Sequence, residues 1–434
     1  MAAPFVGSMI PYPWLFIALA AVVPFIIHIA YWGIRIPQRK SIPMIIWLVG
    51  LLAAIHIWGL WGGTTPYWFR TLGDMAIVAA GVFVFLTRHG RSHGSGGMFD
   101  GFIATLIPFA IAVGILGLVK AGLFERGYLL GFIYERYHDL YPSGSSLKDD
   151  YNAFSLSLLI ASMGLVMNAL KDVRSHSKIL YNILGLAVLI SAGMLTPSRR
   201  FAIASILIPV LWLTVGAVTI PKPEWFRRIL LPIAGVVWAV LLIHTAIESP
   251  NQIGPEQIRD YQVIRSGNIS KAESEDRFVN VGPAADRLFE TFNKEHSYGF
   301  ASRIDRLLFG KDLLVERAWL TGIGFSYHWE YSCRFGACTY MDYPHFPLLS
   351  EWLSGGIIAA LVTMAIYFLL YRSLWRLGWH GWMTSITPMA LIVLFYSLLS
   401  GDTLFSVPQF IIACLLVQSQ LSVVMPAGQD APAR

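Results

Sequence analysis

Apolar stretches of about 17 to 25 residues recur along this chain with short polar breaks between them, and this is the length that a helix needs to cross a bilayer. The first stretch has neither a basic N-terminal region nor a small-residue cleavage site, so we expect a retained helix there and no signal peptide. The pattern predicts about eleven helices, near residues 12–31, 43–61, 71–87, 102–124, 151–170, 179–195, 201–219, 228–247, 345–371, 383–400 and 404–424.

A long hydrophilic insert, residues 248–344, interrupts this pattern. It divides the predicted fold into a transmembrane bundle of about eight helices over 1–247, the insert itself, and a C-terminal group of transmembrane helices over 345–434. The fold class is therefore predicted to be an all-α polytopic membrane protein with about eleven to twelve transmembrane helices. Short helices are expected within the insert.

Lysines and arginines cluster in alternate connections, and the positive-inside rule assigns those connections to the cytoplasm. The insert and the connections at 62–70, 125–150, 196–200 and 401–403 then lie outside. In a bacterial inner membrane the large insert would be periplasmic. The cytoplasmic clusters are Arg35, Arg39 and Lys40; Arg88 and Arg91; Lys171, Arg174 and Lys178; Lys222, Arg227 and Arg228; and Arg372 and Arg376.

Composition agrees with a membrane protein, because 56% of the residues are hydrophobic and only 13% are charged, against about 25% charged in soluble domains. The net charge is +6, but most cations lie in short connections where they set topology, so we expect no nucleic-acid partner. No internal repeat is visible, which makes a secondary transporter built from inverted repeats less probable.

Arg199 and Arg200 contradict the charge pattern, because they lie in a short connection assigned to the outside, directly before an apolar helix. One interpretation is a phosphate clamp, since a guanidinium binds phosphate oxygens bidentately and keeps its charge. The alternative is that both side chains extend to lipid head groups.

The end of the insert carries further candidates. Ser302 opens a segment whose apolar spacing predicts an amphipathic helix lying on the membrane surface. Arg303 in this segment either reaches a substrate phosphate or is simply solvated. Arg306 is a further candidate, with a supporting role in the site. Gly322 and Gly324 are expected to form a turn. The two cysteines at 333 and 338 either form a disulfide ring, if the insert faces an oxidising compartment, or remain two thiols.

His345 begins the next apolar run, so a titratable imidazole is expected at the external membrane surface, where it is suited to acid/base chemistry or serves only as an interfacial residue. Glu351 lies inside that run. A carboxylate there is costly, so it is expected to be functional or paired.

Asp150 and Asn152 stand where the helix near Tyr151 begins, as helix caps or as groups that recognise sugar hydroxyls. The sequence contains no Asp-x-Asp, Walker loop, paired-histidine zinc motif or Gly-x-Ser-x-Gly. We therefore expect neither a metal nor another cofactor.

The order of these motifs resembles the O-antigen ligase and O-antigen polymerase superfamily. The matching elements are Ser198-Arg199, Ser302-Arg303, Gly322-Ile323-Gly324, the helix start at Asp150-Tyr151-Asn152, and His345 with Leu348, Glu351 and Gly355. The architectural likeness covers nearly the whole chain, whereas the residue likeness is confined to these short motifs.

The resemblance implies a periplasm-facing glycosyltransferase that moves a glycan from undecaprenyl diphosphate to an acceptor hydroxyl, with inversion and without a metal. It gives His345 the role of general base, and it gives Arg199 or Arg200, together with Arg303, the role of holding the diphosphate. Expected partners are the lipid-linked donor, a lipid A-core or glycan acceptor, and membrane lipid.

Two departures qualify the resemblance. Phe346-Pro347 follow His345 where the family often has Asn, Ser or Gln, and we count about eleven helices where the family commonly has about twelve. A ligase, an O-antigen or exopolysaccharide polymerase and a protein O-oligosaccharyltransferase all remain open. A transporter of lipid-linked glycans is the alternative from another class.

Overall fold

The computed structural model of the protein describes residues 44–62, 97–124, 151–171, 176–196, 198–247, 298–335, 342–383 and 386–400, with single positions at 26, 30, 68 and 338 and several between 71 and 79. The helix predicted at 404–424 lies outside the described residues, as do the connection at 125–150, the insert up to residue 297, and most of the helices predicted at 12–31 and 71–87.

All the elements that these ranges form are helices. Single turns of tighter or wider helix at Gly59–Gly62, Lys222–Glu224, Phe226–Leu230, Leu314–Ala318 and Gly324–Ser326 accompany the α-helices. The α-helices are α1 (Met44–Trp58), α2 (Gly97–Phe124), α3 (Tyr151–Lys171), α4 (His176–Met194), α5 (Arg199–Ser205), α6 (Leu207–Thr219), α7 (Leu231–Ile247), α8 (Tyr298–Leu313), α9 (Tyr327–Phe335), α10 (Pro347–Met383) and α11 (Ile386–Ser400).

Within the described residues, five helical stretches are long and apolar enough to cross a membrane. Three shorter apolar helices accompany them, Met44–Trp58, Phe154–Leu170 and Met389–Leu398. The chain therefore has the helical, membrane-spanning character that its hydrophobic pattern predicts. The five stretches are Ile103–Leu123, Ser177–Met194, Arg200–Val218, Arg228–Ile247 and Pro347–Arg376.

The chain divides into two compact units. The first contains α2 from Gly101 onward and α3 to α7, with α3 buried along most of its length. Close approach within this unit depends on small residues, as is common between membrane helices. The ring of Phe201 lies against Gly193, and Ile103 lies against Gly164, where any side chain would collide.

The second unit contains α1 and α8 to α11. Its described core joins the end of α8, the start of α9 and the first turns of α10 through buried apolar and aromatic side chains. The segments that form this core, 298–335 and 342–354, also contain most of the residues singled out in the insert and beyond it. Its fully or nearly buried members are Leu313, Leu314, Phe325, Tyr327, Tyr331 and Leu353.

Helix α10 differs from its prediction in two ways. It continues through Arg372 and Arg376, which were expected in a connection, because no glycine or proline lies between Gly356 and Gly378, where φ is +49°. It is also broken near its start, since Gly355 and Gly356 have non-helical dihedrals. The segment Pro347–Ser354 is therefore a short helix of its own, and the long apolar helix starts after the break.

Candidate functional site

His345 lies in the second unit, two residues before α10 begins, and its side chain is 28% exposed. Its backbone has φ of +59°. For a residue with a side chain, this left-handed conformation costs about 1 to 2 kcal/mol. Residues strained in this way tend to cluster at functional sites. The Tyr343 ring lies 4.3 Å from the imidazole, centroid to centroid, and covers one side of it.

Asp342 faces His345. The carboxylate oxygen Oδ1 lies 3.9 Å from Nε2 of His345, which is beyond hydrogen-bond range but close enough for an ion pair when the imidazole is protonated. The same oxygen accepts a 2.8 Å bond from the backbone N–H of Tyr343. Asp342 is buried, with 4% of its surface exposed. The negative charge is thus fixed beside the ring where a positive charge would develop.

Arg306 of α8 holds the other oxygen of this carboxylate. Its Nη2 donates to Oδ2 of Asp342 at 2.8 Å and its Nε donates to the same atom at 3.2 Å. The guanidinium carbon also lies 4.7 Å from the centre of the Phe335 ring, in a cation–π contact. Arg306, expected only as a supporting residue, therefore orients Asp342.

Arg303 precedes Arg306 by one helical turn, and residues three apart are neighbours on a helix surface. Its side chain is exposed. The apolar residues whose spacing predicted the amphipathic helix differ in exposure: Ile304, Leu307 and Leu308 are exposed, whereas Leu314 is 5% exposed and belongs to the core. Leu314 lies four positions after the buried Gly310 and next to the buried Leu313, so it shares the core face of the segment.

Helix α9 supports Asp342 from the opposite side. The carbonyl oxygen of Asp342 accepts a 2.9 Å bond from Nδ1 of the fully buried His328. The hydroxyl of Tyr331 donates to the carbonyl oxygen of Arg306 at 2.7 Å. At the end of the helix, Cys333 and Cys338 are joined by a disulfide, so the segment closes on itself immediately before Asp342.

The Gly322-Ile323-Gly324 motif has a packing role. The positive φ values of Gly322 and Gly324 are accompanied by close backbone neighbours, the carbonyl of Ser354 and the carbonyl of Gly59 respectively. Gly356, at the break in α10, packs in turn against the carbonyl of Leu320. Side chains at these three positions would collide with backbone. The glycines thus bring the turn into contact with the helical turn Gly59–Gly62 that follows α1, and with α10.

Glu351 pairs with a residue that the sequence did not single out. Its Oε2 lies 2.7 Å from Nε2 of His56 in α1, and both side chains are fully buried. The ring of Phe325 meets the His56 ring edge to face at 5.4 Å. The position of Glu351 inside an apolar run predicted that it has a partner. Hydrophobic periodicity could not identify that partner, because His56 lies 295 positions away.

In the first unit, Arg199 and Arg200 are the first two residues of α5. Ser198 caps this helix, its hydroxyl oxygen accepting from the N–H of Phe201 at 3.4 Å. Arg200 is 7% exposed, so its permanent charge is largely removed from solvent. Lys120 of α2, which sequence reasoning passed over inside an apolar helix, is also buried in this unit, at 2% exposure.

Several predicted site residues are not brought into this geometry. Asn152 belongs to α3, whose described start at Tyr151 agrees with the predicted helix, but its side chain lies outside the described residues, as does that of Arg199. Asp150 lies outside them altogether. The sequence also missed Asp342, His328 and Tyr331, which are polar residues in a mixed segment without a distinctive spacing.

Chemically, the second unit offers an imidazole with a fixed carboxylate beside it and an exposed guanidinium one turn from the arginine that fixes that carboxylate. Such a group can accept a proton, since the neighbouring negative charge stabilises the imidazolium that results. A search for similar proteins found no matching family model, curated protein or solved structure.

Proposed function

We propose that the protein is a glycosyltransferase of the bacterial inner membrane that moves a glycan from undecaprenyl diphosphate to an acceptor hydroxyl at the periplasmic face, without a metal or other cofactor. The lead acceptor is lipid A-core, as for an O-antigen ligase. In this proposal the chain spans the membrane about eleven to twelve times and the insert at 248–344 is periplasmic.

The observation that carries the proposal is the position of His345 beside Asp342, at the start of an apolar helix. In the reaction, His345 takes the proton of the acceptor hydroxyl while that oxygen forms a bond to the anomeric carbon. The bond from this carbon to the diphosphate breaks, and its electron pair leaves with the diphosphate oxygen. Asp342 stabilises the imidazolium that is formed, and attack from the opposite side inverts the anomeric carbon.

The leaving diphosphate gains negative charge in the transition state, and fixed cations stabilise such charge. Arg303 is the candidate in the second unit, because it is exposed on the helix that also carries Arg306. The resemblance gives the same role to Arg199 or Arg200. Of these two, Arg200 has the described side chain, and it is buried.

The test is glycan transfer by the purified protein, supplied with an undecaprenyl-diphosphate glycan and candidate acceptors in the presence of a chelator. We expect His345→Ala to lower transfer by about 10²- to 10⁴-fold, the usual contribution of a general base. Arg303→Ala should lower kcat, because it removes a cation that stabilises the charge developing on the diphosphate in the transition state. Arg317→Ala is the matched control, because Arg317 is an exposed arginine paired with Glu330. Transfer by His345→Ala at the wild-type rate would remove the mechanism.

The acceptor is decided in a strain that lacks the protein. Carrier-linked polymer that accumulates while lipid A-core carries none supports a ligase, whereas a single repeat unit on lipid A-core supports an O-antigen polymerase. A normal polymer ladder would indicate an exopolysaccharide or a protein acceptor.

Transport of lipid-linked glycans is the second candidate. The buried His56–Glu351 pair favours it, since ionisable groups inside apolar helices often mark transport pathways. A transporter would move the labelled lipid across a vesicle membrane without cleaving it, and His345→Ala would leave that movement intact. Cleavage of the diphosphate linkage that depends on His345 would favour the enzyme.

A further inference from the structure

We infer that two side-chain pairs, the partly buried Arg306–Asp342 and the fully buried His56–Glu351, hold His345 from both sides in its left-handed conformation, which makes His56 and Glu351 positioning residues for the transfer reaction. The inference rests on the proposed function and extends it to residues of α1 and α10 that have no role in that proposal.

The first anchor lies three residues before His345. Asp342 is fixed by two bonds from Arg306, at 2.8 and 3.2 Å, and through its carbonyl by His328 at 2.9 Å. These partners come from α8 and α9. The backbone that enters His345 is therefore held by side chains from two other helices.

The second anchor lies six residues after His345. The carbonyl of Phe346 accepts bonds from the N–H groups of Leu349 and Ser350, at 3.0 and 3.1 Å, so the helix starts directly after His345. That helix is short, because the break at Gly355 separates it from the long apolar part of α10. Its fully buried Glu351 is bound to His56 of α1 at 2.7 Å. This pair ties the short segment to α1, in addition to the packing of the buried Leu353 in the core.

The conformation of His345 requires such restraint. With φ of +59° it occupies the left-handed region, which is uncommon for residues other than glycine. If either anchor were released, the backbone at His345 could relax and the imidazole would turn away from Asp342. A displacement of about 1 Å at a reacting group can lower a rate about 10²-fold.

A contact network joins the two anchors. The Phe325 ring meets His56 at 5.4 Å and stacks near His328 at 6.1 Å, and His328 in turn holds Asp342. Loss of the His56–Glu351 pair should therefore affect both sides of His345. The exposed pair Arg317–Glu330, in the same unit, has no such connection among the described contacts and provides a control.

The experiment compares wild type with Glu351→Ala, Glu351→Gln and the double variant His56→Ala/Glu351→Ala, with Glu330→Ala as control. Two quantities are measured: kcat and KM for transfer, and the rate at which diethyl pyrocarbonate modifies His345, followed by mass spectrometry. The second measurement needs no activity. Thermal unfolding in detergent establishes the folded fraction of each variant.

We expect Glu351→Ala to lower kcat at least tenfold, to change KM less than twofold, and to change the modification rate of His345 at least twofold. Glu351→Gln, which can still hydrogen-bond to His56, should recover most of both values. The double variant should lose no more activity than Glu351→Ala, because the single substitution already removes the pair. Glu330→Ala should match wild type.

The inference is overturned if folded Glu351→Ala retains wild-type kcat and the wild-type modification rate of His345. It is also overturned if kcat falls only in proportion to the folded fraction while the modification rate is unchanged. A wild-type protein without transfer activity would instead overturn the proposed function. The modification rates would then still decide whether the pair positions His345.

Discussion

The backbone N–H of Ile323 donates a 2.7 Å hydrogen bond to the carbonyl oxygen of Leu353, which joins the Gly322-Ile323-Gly324 turn to the start of α10. On either side of this bond, glycines pack backbone against backbone. The turn thus holds the segment 347–354, which lies before the break in α10. His345 lies two residues before this segment, so its position depends on the same contact.

Gly356→Ala should destabilise the second unit strongly. Gly356 has φ of +70°, and a Cβ would collide with the carbonyl of Leu320. We expect a loss of at least about 2 kcal/mol, from the left-handed conformation and from overpacking. The measurement is the apparent melting temperature in detergent.

Gly50→Ala is the control for that substitution. Outside its own helix, no atom of the described residues lies within 4 Å of a Cβ at Gly50 in α1. Alanine favours a helix interior by roughly 0.5 to 1 kcal/mol over glycine, so this variant should melt at or above the wild-type temperature. Equal melting temperatures for the two variants would contradict the packing role of Gly356.

Asp342→Asn should reduce transfer without preventing folding. The substitution removes the charge that lies 3.9 Å from Nε2 of His345 but keeps an oxygen for the bonds from Arg306. We expect kcat to fall by at least about tenfold, equivalent to about 1.4 kcal/mol of transition-state stabilisation. Steady-state kinetics measure it. Asp312→Asn, at an exposed carboxylate of α8, should be silent.

Arg306→Lys should disturb the site although it keeps the charge. A lysine ammonium is a compact charge that cannot reproduce the planar fork of the guanidinium, which donates twice to Asp342 and lies over Phe335. We expect an activity loss similar to that of Asp342→Asn and a double variant that loses little more. Arg317→Lys should behave as wild type, and an equal effect of the two lysine variants would contradict a specific role for Arg306.

The disulfide between Cys333 and Cys338 should leave one free thiol in the oxidised protein. The chain has three cysteines, of which Cys333 and Cys338 are joined. Unfolded without reductant, the protein should therefore react with a maleimide only at Cys414, and all three cysteines should react after reduction. Labelled peptides identified by mass spectrometry provide the measurement. Modification of Cys333 before reduction would contradict the bond.

Much of the helical framework could be predicted from the sequence, because apolar runs of membrane length leave little choice of structure for their backbone. The helices at Met44–Trp58, Tyr151–Lys171 and Leu231–Ile247 lie close to their predicted ranges. Helix ends were less predictable. Arg372 and Arg376 suggested a connection by their charge, yet they continue α10, since charged residues are compatible with a helix that leaves the membrane.

The candidate site was predicted in part. His345 and Glu351 stood out because each is a polar group at or inside an apolar run. Asp342 and His56 did not stand out, since their roles arise from contacts with residues far away in the sequence. Asp342 contacts Arg306 across 36 positions, and His56 contacts Glu351 across 295 positions. Hydrophobic periodicity describes the chain locally and contains no information about which distant side chains meet.

The break at Gly355-Gly356 has a consequence for how α10 can vary. A continuous helix ties the rotational phase of every residue to that of the residues before it. Here the phase is set anew after the break, so the orientation of Glu351 toward His56 does not dictate which faces of the long helix meet lipid. The long apolar part of α10 can therefore change its lipid-facing side chains, or even its length, while the short segment 347–354 keeps its orientation toward α1.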